Sequence, residues 1–564
     1  MVSLEALSEI DAALDQWRPS RWRRLTAEEM LRAPLDLFQA GWRVDIDAGT
    51  VRPAEAGHLL VVIDAAFPNS QPRILAPEMG GDYRWPHVER NGLLCLRPTD
   101  ITAPAAGRIP IHVHDALTLL NYTDDQCAAE FEREFGSYWA HHALHLNERP
   151  CVLSLVKPGG KSRQVIFYFD GRLARALVAD TKPEAKTWLR NAGTPVGDHD
   201  LLPGLLVRLS KPWRPSEFPK TIGEAIQGLP DDVVRATLLP NRKSLFLFEA
   251  KTSTGTVFAA VLANGAKSDR VKNGFRSWAK VPVEHIRRAT APQKVERVVV
   301  SRVDSAWIHG RDHSADLANL RARKVAIVGC GAIGSELAEL LAKAGVGELT
   351  LADGDDLYAG NVGRHILGVG YIGWKKARGV AMELQRRMPT LSVGAIYCKK
   401  FERLTAAELE KLATMDMVVT AGLDIEGEAA VNAWRQTLEQ PPAYLSTWVE
   451  AYATAGHAVL LYGEDDLMAG FEGEFPAFRL TDWPPGAGHL IVEAGCGNVF
   501  QPHGAVDLQP TIAMAAKLVL DALLGRAPNC CRRVWFGDRD AVAALGGKAR
   551  DAFTETNAIR QISW

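Results

Sequence analysis

Lys324-Val325-Ala326-Ile327-Val328-Gly329-Cys330-Gly331-Ala332-Ile333-Gly334, followed by a helical stretch and then by Leu349-Thr350-Leu351-Ala352-Asp353, decides the fold of the C-terminal half. An apolar strand runs into Gly-x-Gly-x-x-Gly and a helix begins. Glycines at Gly329, Gly331 and Gly334 permit a tight turn and close backbone approach. Free N–H groups at the helix start can then meet a phosphate, while an acid at the end of the next strand reaches a ribose. The element predicts a nucleotide pocket, and on its own it fits a nicotinamide dehydrogenase equally well.

The residues after Asp353 separate the two readings. Asn361 and Arg364 stand in Asn361-Val362-Gly363-Arg364, and Gly373-Trp374-Lys375-Lys376 precedes a helix with Ala377, Val380, Ala381 and Leu384. A dinucleotide does not call for this cationic set. A triphosphate does, since an Arg fork and a Lys point charge stabilise its charge as pyrophosphate leaves. Further on, Met417 to Leu423 reads as a buried strand ending at Asp424, a carboxylate suited to magnesium, which favours one or two carboxylates with phosphate oxygens.

The ordered set Gly329, Gly331, Gly334, Asp353, Asn361, Arg364, Lys376 and Asp424 resembles the ThiF/HesA superfamily, which includes the ubiquitin-activating enzymes, over roughly residues 300 to 530. The resemblance implies that Asp353 holds the ribose, that Asn361, Arg364 and Lys376 hold phosphates, and that Asp424 holds Mg2+. Lys375 competes for the Lys376 role. The family reaction is ATP-dependent adenylation of a protein's C-terminal carboxylate, passed in some members to an enzyme cysteine. Cys496, in Glu493-Ala494-Gly495-Cys496-Gly497-Asn498, is the candidate, placed after a strand and before a helix from about Thr511 to Leu524. A small residue in a tight turn is the rival account of it. No Cys-x-x-Cys pair occurs, so no structural zinc is expected. The family further implies a homodimer through this module, with Arg311 a candidate for reaching ATP across it.

A second constellation lies near the N-terminus. Val61 to Ile74 contains a strand, the turn Phe67-Pro68-Asn69-Ser70-Gln71-Pro72 and a second strand, and leads to Trp85-Pro86-His87-Val88 and Asn91-Gly92-Leu93-Leu94-Cys95-Leu96. This order resembles the ubiquitin-conjugating fold and implies that Cys95 accepts the acyl group as a thioester. Pro86-His87-Val88 departs from the family's His-Pro-Asn, which leaves its oxyanion-stabilising amide without a counterpart unless Asn91 substitutes. Cysteine in Leu-Leu-Cys-Leu is also an ordinary buried strand residue. An activating module on the same chain favours the acceptor role, because tethering successive catalysts raises their effective concentration.

The predicted architecture is therefore multidomain α/β: a ubiquitin-conjugating-like α+β domain over 1–150, a middle α+β domain over 151–300, and a Rossmann-like ThiF/HesA adenylation domain over 301–564. In the middle, strands are expected at Gln164–Phe169, Leu245–Ala250 and Val257–Leu262, with a hairpin turn at Thr252–Thr256 and a short helix over Pro183–Asn191. His141, His142 and His145 form no recognised ligand pattern with Asn147 and Glu148. Arg270, Lys272, Lys280 and Trp278 read as ordinary surface or as a docking face.

Composition sets the outer limits. With 564 residues and 47% hydrophobic content the chain can bury several cores. Lys plus Arg (65) nearly balances Asp plus Glu (67), so there is no basic footprint for nucleic acid. Eight scattered cysteines suit a reducing compartment. The start has no signal-peptide core and there is no long apolar run, so no membrane partner is expected and the cytoplasm is the expected location.

The order of modules resembles the fused conjugating-activating enzymes of bacterial CBASS antiphage operons. That resemblance implies a protein substrate with a free C-terminal tail, either a cGAS-like nucleotidyltransferase or a ubiquitin-like protein, and a role in antiphage defence. Two other readings stay open: a sulfur-carrier adenylyltransferase in which Cys95 is structural, and a non-catalytic scaffold for a nucleotidyltransferase.

Overall fold

The computed structural model describes residues 4–17, 21–32, 34–81, 83–144, 151–265, 274–398, 400–471, 478–492 and 499–564. The chain divides into two compact units: Met1–Thr181 with His199–Ser301, and Lys182–Asp198 with Arg302–Trp564.

In the first unit, β1 (Trp22–Arg24), β2 (Ala40–Asp45), β3 (His58–Ile63) and β4 (Arg73–Leu75) form an antiparallel meander in that order. Side chains alternate across a strand, so β3 serves two cores. Leu59, Val61 and Ile63 join Trp42 and Ile74 beneath α1 (Leu4–Trp17) and α2 (Ala105–Leu120), while Leu60 and Val62 meet Leu35 and Leu75 on the other face. Thr123 and Gln126 make a reciprocal capping box that starts α3 (Asp124–Arg133), and α4 (Phe135–Leu144) follows.

The strands after residue 150 close into a barrel. They are β5 (Cys151–Ser154), β6 (Arg163–Asp170), β7 (Arg175–Ala179), β8 (Leu202–Arg208), β9 (Ser244–Thr252), β10 (Gly255–Ala263) and β11 (Glu296–Arg302), in the order β10-β11-β5-β7-β6-β8-β9, with the β9–β10 hairpin closing the ring. All seven strands contribute to one inner cluster, including Val152, Val165, Val178, Leu206, Leu247, Phe258 and Val298. The alternate residues Phe246 and Phe248 point outward and pack with Phe135, Trp139 and Phe218. The indole N–H of Trp139 donates to the Val298 carbonyl at 3.0 Å, fastening α4 to the barrel wall. The expected hairpin turn is the two-residue link between Thr252 and Gly255, which pair directly. The expected short helix is α5 (Lys182–Asn191), which belongs to the second unit, where Asn191 Nδ2 donates to the Pro389 carbonyl.

The second unit is built on an eight-stranded sheet. β12 (Lys324–Val328), β13 (Glu348–Ala352), β14 (Ser392–Ile396), β15 (Met417–Ala421) and β16 (Ala443–Val449) are parallel in the order β14-β13-β12-β15-β16. β17 (Ala455–Leu461), Cys531–Phe536 and Ala558–Ser563 extend it antiparallel. Both faces are covered, as a parallel sheet requires. Val325 and Ile327 pack with α6 (Ala332–Ala344), α7 (Lys376–Arg387) and α9 (Ala505–Leu523), while Ala326 and Val328 lie in the opposite core with Val431 of α8 (Ile425–Gln436). The helix expected from about Thr511 begins earlier, at Ala505. Pro510 removes only the bond to the Val506 carbonyl, and Val506 is open to water. Among the described residues no helix is long and apolar enough to cross a membrane.

Candidate functional site

The strand order reverses between β12 and β15, and a cleft of about 300 Å³ opens there at the carboxyl ends of the strands. In open α/β sheets this crevice is where ligands bind. Gly329, Gly331, Asp353, Lys376 and Asp424 line it, together with Asp355, Cys398, Lys400, Phe401, Leu423 and Glu426.

The glycines divide the work. Gly329 has φ +92°, and a Cβ there would sit 2.7 Å from the Ala421 carbonyl. At Gly334 a Cβ would meet the Gly329 carbonyl oxygen at 1.8 Å. These two let α6 start against the ends of β12 and β15. Gly331, the N-cap of α6, faces open space. Its missing side chain leaves the first N–H groups of α6 accessible to a phosphate.

Asp353 holds this loop from the end of β13. Its Oδ2 accepts the Cys330 N–H and its Oδ1 the Asp355 N–H, both at 2.7 Å. Burial pushes its carboxyl up from the ordinary value, against the pull of those two N–H groups. His365 braces the same loop from below. Its Nε2 lies 2.7 Å from the Cys330 carbonyl and its Nδ1 accepts the Leu367 N–H, a network that assigns the proton to Nε2. Burial lowers its pKa, consistent with a neutral ring.

Lys376 and Lys375 part company. Lys376 Nζ lines the cleft, 3.4 Å from Asp355 Oδ2. Lys375 Nζ donates to the Gly354 carbonyl and pairs with Asp356, each at 2.9 Å, and does not line it. Asp424 caps α8, its Oδ1 accepting the Gly427 N–H at 2.8 Å, and borders the cleft beside Glu426. Asn361 and Arg364 stand on the turn Ala359–Arg364 and are not among the lining residues; Asn361 Oδ1 accepts the Tyr358 N–H. Arg364 lies close enough to His503 for its charge to help lower that imidazole's pKa, after burial. Arg311 is the exposed, left-handed C-cap of Ser305–Gly310.

Sequence reasoning missed Lys400, Glu426 and His365. Lys400 follows β14 at the same carboxyl edge, and its position past a parallel strand was the available signal.

In the first unit Cys95 is exposed, not a buried strand residue. Its N–H donates to the His87 carbonyl at 2.8 Å, and Leu94 bridges to Val88. Partial desolvation of the sulfur by its neighbours pushes its thiol up from the ordinary value, Glu134 and Glu89 add to this, and Arg73 opposes it. Asn91 is spent on the turn, its Oδ1 accepting the Leu93 N–H. His142 packs against Tyr83 and Phe218. Cys496 lies outside the described residues, as do His145, Asn147, Glu148, Arg270 and Lys272; the paired residues Ile491–Val492 and Val499–Phe500 flank the segment that holds Cys496. Cys530 is tied up, its thiol donating to Asp465 at 2.8 Å, and Cys531 is buried.

The ThiF family model matches residues 309–469, and the model of prokaryotic E2 family B matches residues 37–145. The chain fuses an E2-like module to a ThiF-type, E1-like module. It is 30% identical over 245 residues to the ATP-dependent ubiquitin transferase-like protein Cap2 of Pseudomonas aeruginosa, covering 41% of this chain and 42% of that one. Identity to the uncharacterized protein y4oA of Sinorhizobium fredii is 41% over 393 residues, 64% of this chain and 62% of that one. Among solved structures, MccB of E. coli is 17% identical with a TM-score of 0.32, covering 44% of this chain and 66% of that chain. The matches span less than two thirds of each of these relatives.

Proposed function

We propose that the ThiF module uses ATP to adenylate the C-terminal carboxylate of a protein and that the E2-like module joins the activated carbonyl to an amine on a target. The reading rests on one observation above all: a chain with a nucleotide cleft at the switch point of its ThiF sheet also carries an exposed thiol, Cys95, in an E2-like module.

The substrate carboxylate attacks the α-phosphorus of ATP. The bond to the bridging oxygen breaks, pyrophosphate leaves and an acyl-adenylate forms. The N–H groups behind Gly331 and the Lys376 ammonium face the phosphates, Asp353 takes the ribose hydroxyls with its remaining lone pairs, and Arg364 and Asn361 serve phosphate from the neighbouring turn. Asp424, with Glu426 beside it, is the donor set for Mg2+, which would supply charge neutralisation when bound. The Cys496 thiolate then attacks the acyl carbon and AMP leaves; the Cys95 thiolate takes the acyl group from Cys496; an amine displaces Cys95 to give an amide.

The substrate is a cGAS-like nucleotidyltransferase or a ubiquitin-like protein, the setting is antiphage defence in the cytoplasm, and the enzyme works as a homodimer through the ThiF module. The similarity to Cap2, an ATP-dependent ubiquitin transferase-like protein, supports the ATP-dependent transfer chemistry in this assignment. The test is incubation with ATP and the nucleotidyltransferase or ubiquitin-like protein encoded beside it, followed by non-reducing electrophoresis. A reductant-sensitive adduct that depends on ATP is expected. Adenylate without any enzyme thioester would return the chain to a sulfur-carrier type of adenylyltransferase.

A further inference from the structure

Beside Cys95 lies a side-chain group that no step above uses. His87 sits in the left-handed region at φ +58°, where a residue other than glycine is held by its surroundings. Its carbonyl accepts the Cys95 N–H, and its own N–H donates to Tyr138 Oη at 2.7 Å. This clamp holds the backbone of His87 against that of the acceptor cysteine, and Glu134, which faces the His87 ring, also acts on the Cys95 thiol by its charge. Two carboxylates of α3 and its end face the ring. Glu130 Oε2 lies 3.1 Å from Nε2, and Glu134 Oε2 lies 3.6 Å from Nδ1. Arg133 pairs with Glu130 Oε2 and with the other Glu134 oxygen, Oε1.

The two distances imply different chemistry. A carboxylate can only accept, so the short contact takes Nε2–H; in the neutral ring this assigns the proton to Nε2 and leaves the Nδ1 lone pair. Nδ1 and Glu134 Oε2 are then two acceptors facing each other beyond hydrogen-bond range. A donor with at least two N–H groups placed between them satisfies both, and an alkylammonium has three. We infer that His87 Nδ1 and Glu134 Oε2 receive the ammonium of the attacking lysine and that His87 deprotonates it, with Glu130 a positioning residue for the ring. The inference rests on the Cys95 reading given above.

The step balances without another reactant. The ammonium gives one proton to His87 Nδ1, and its lone pair attacks the thioester carbonyl. A C–N bond forms, the C–S bond breaks and Cys95 leaves as a thiolate, which takes the proton back from the imidazolium. The second N–H proton passes by Glu134 to water. The charged surroundings agree: Glu89, Glu130 and Glu134 face the site, with Arg133 and Arg73 as the nearby cations and Tyr138 kept neutral by burial. This field disfavours a thiolate and favours an arriving cation. The atoms of His87, Glu130 and Glu134 also lie within 4.8 Å of one another, as for a metal site, but Arg133 already pairs with an oxygen of each carboxylate, which leaves one net negative charge, suited to a monovalent ammonium rather than a divalent ion.

The test uses the full chain and a probe independent of the natural substrate, the mercaptoethanesulfonate thioester of a short peptide ending in glycine, which acylates Cys95 by thiol exchange. Cys95→Ala supplies the background from other thiols. Discharge of the Cys95 acyl group is then timed with lysine and with hydroxylamine, which is uncharged at neutral pH and presents its lone pair without prior deprotonation. General-base assistance is typically worth about a hundredfold or more. His87→Gln and Glu134→Gln should slow lysine discharge by that order and move its pH profile upward, toward the ionisation of the amine itself. Hydroxylamine discharge should keep its rate, and Glu134→Asp should recover part of the lysine rate. Lysine discharge at the wild-type rate in both variants would overturn the inference. So would equal slowing of both nucleophiles, which would make the group structural, or loss of lysine discharge on adding EDTA, which would make it a metal site. If the peptide thioester leaves Cys95 unacylated in the wild-type chain, the Cys95 reading falls and this inference with it.

Discussion

At the scale of single residues, the cleft separates neighbours that sequence treats alike. Lys375 and Lys376 were rivals for one role because spacing before a helix carries no direction. Only Lys376 lines the cleft, since the α7 N-terminus turns Lys375 toward Gly354 and Asp356. Lys376→Ala should therefore depress substrate-dependent ATP–pyrophosphate exchange at least tenfold, and Lys375→Ala by much less; equal losses would reject the distinction. Asp424→Ala should abolish exchange, because removing one preorganised group that stabilises transition-state charge typically costs about 3 to 4 kcal/mol. Cys95→Ala should leave exchange intact. The Cys95 thiol carries its own pH signature. Partial desolvation, Glu134 and Glu89 hold it above the ordinary value, so the reactive thiolate is scarce at neutral pH. Acylation of Cys95 should climb with pH through and beyond the ordinary thiol range. Arg73→Ala, which removes the opposing charge, should shift that rate profile further upward, and Glu89→Gln should shift it down. A profile unmoved by either change would mean that these charges do not reach the sulfur.

At the scale of elements, what was legible in sequence was what is local. Gly-x-Gly-x-x-Gly between an apolar strand and a helix predicts its own geometry, and β12, α6 and β13 fall where the pattern puts them. The strands at Gln164, Leu245 and Val257 were readable from alternation for the same reason. Their closure into a seven-stranded barrel was not, because alternation tells which residues share a face and says nothing of which strand lies beside it. His365 and Lys400 escaped for a related reason: each acts on the glycine loop or the cleft from a separate element, and no spacing joins them to it. The close contact between α6 and β12 gives an element-scale prediction. A methyl group at Gly334 would lie 1.8 Å from the Gly329 carbonyl, and backbone has no rotamer with which to yield. Gly334→Ala should cost about 1–3 kcal/mol of overpacking, read as a lower urea midpoint for the ThiF module, together with weakened ATP binding. Gly331→Ala meets open space and should leave the midpoint nearly unchanged while still weakening ATP binding, because its methyl would occupy the phosphate approach. Equal midpoint shifts for the two variants would contradict this division of labour.

At the scale of the whole molecule, the two modules ask to be ordered in time, and acyl chemistry orders them. A mixed anhydride is a better acyl donor than a thioester, and a thioester a better one than an amide, so the proposed flow runs from adenylate through Cys496 and Cys95 to the target. The sequence suggests this order because each cysteine stands inside its own motif. It could not supply the environments: Cys95 is exposed and flanked by carboxylates, which no motif encodes. Removing one thiol at a time should stop the flow at different points. Cys496→Ala should form adenylate, and so exchange pyrophosphate, yet carry no thioester from ATP and make no conjugate. Cys95→Ala should instead accumulate a reductant-sensitive adduct on Cys496 and still make no conjugate. Cys95→Ser should hold the acyl group as an oxyester that survives reductant, because an alkoxide leaves less readily than a thiolate. Non-reducing and reducing gels run in parallel, with peptide mapping of each adduct, distinguish the three. If Cys95→Ala conjugated as the wild-type chain does, the E2-like module would carry no acyl group, and the ThiF module would have to deliver it to the target directly from Cys496.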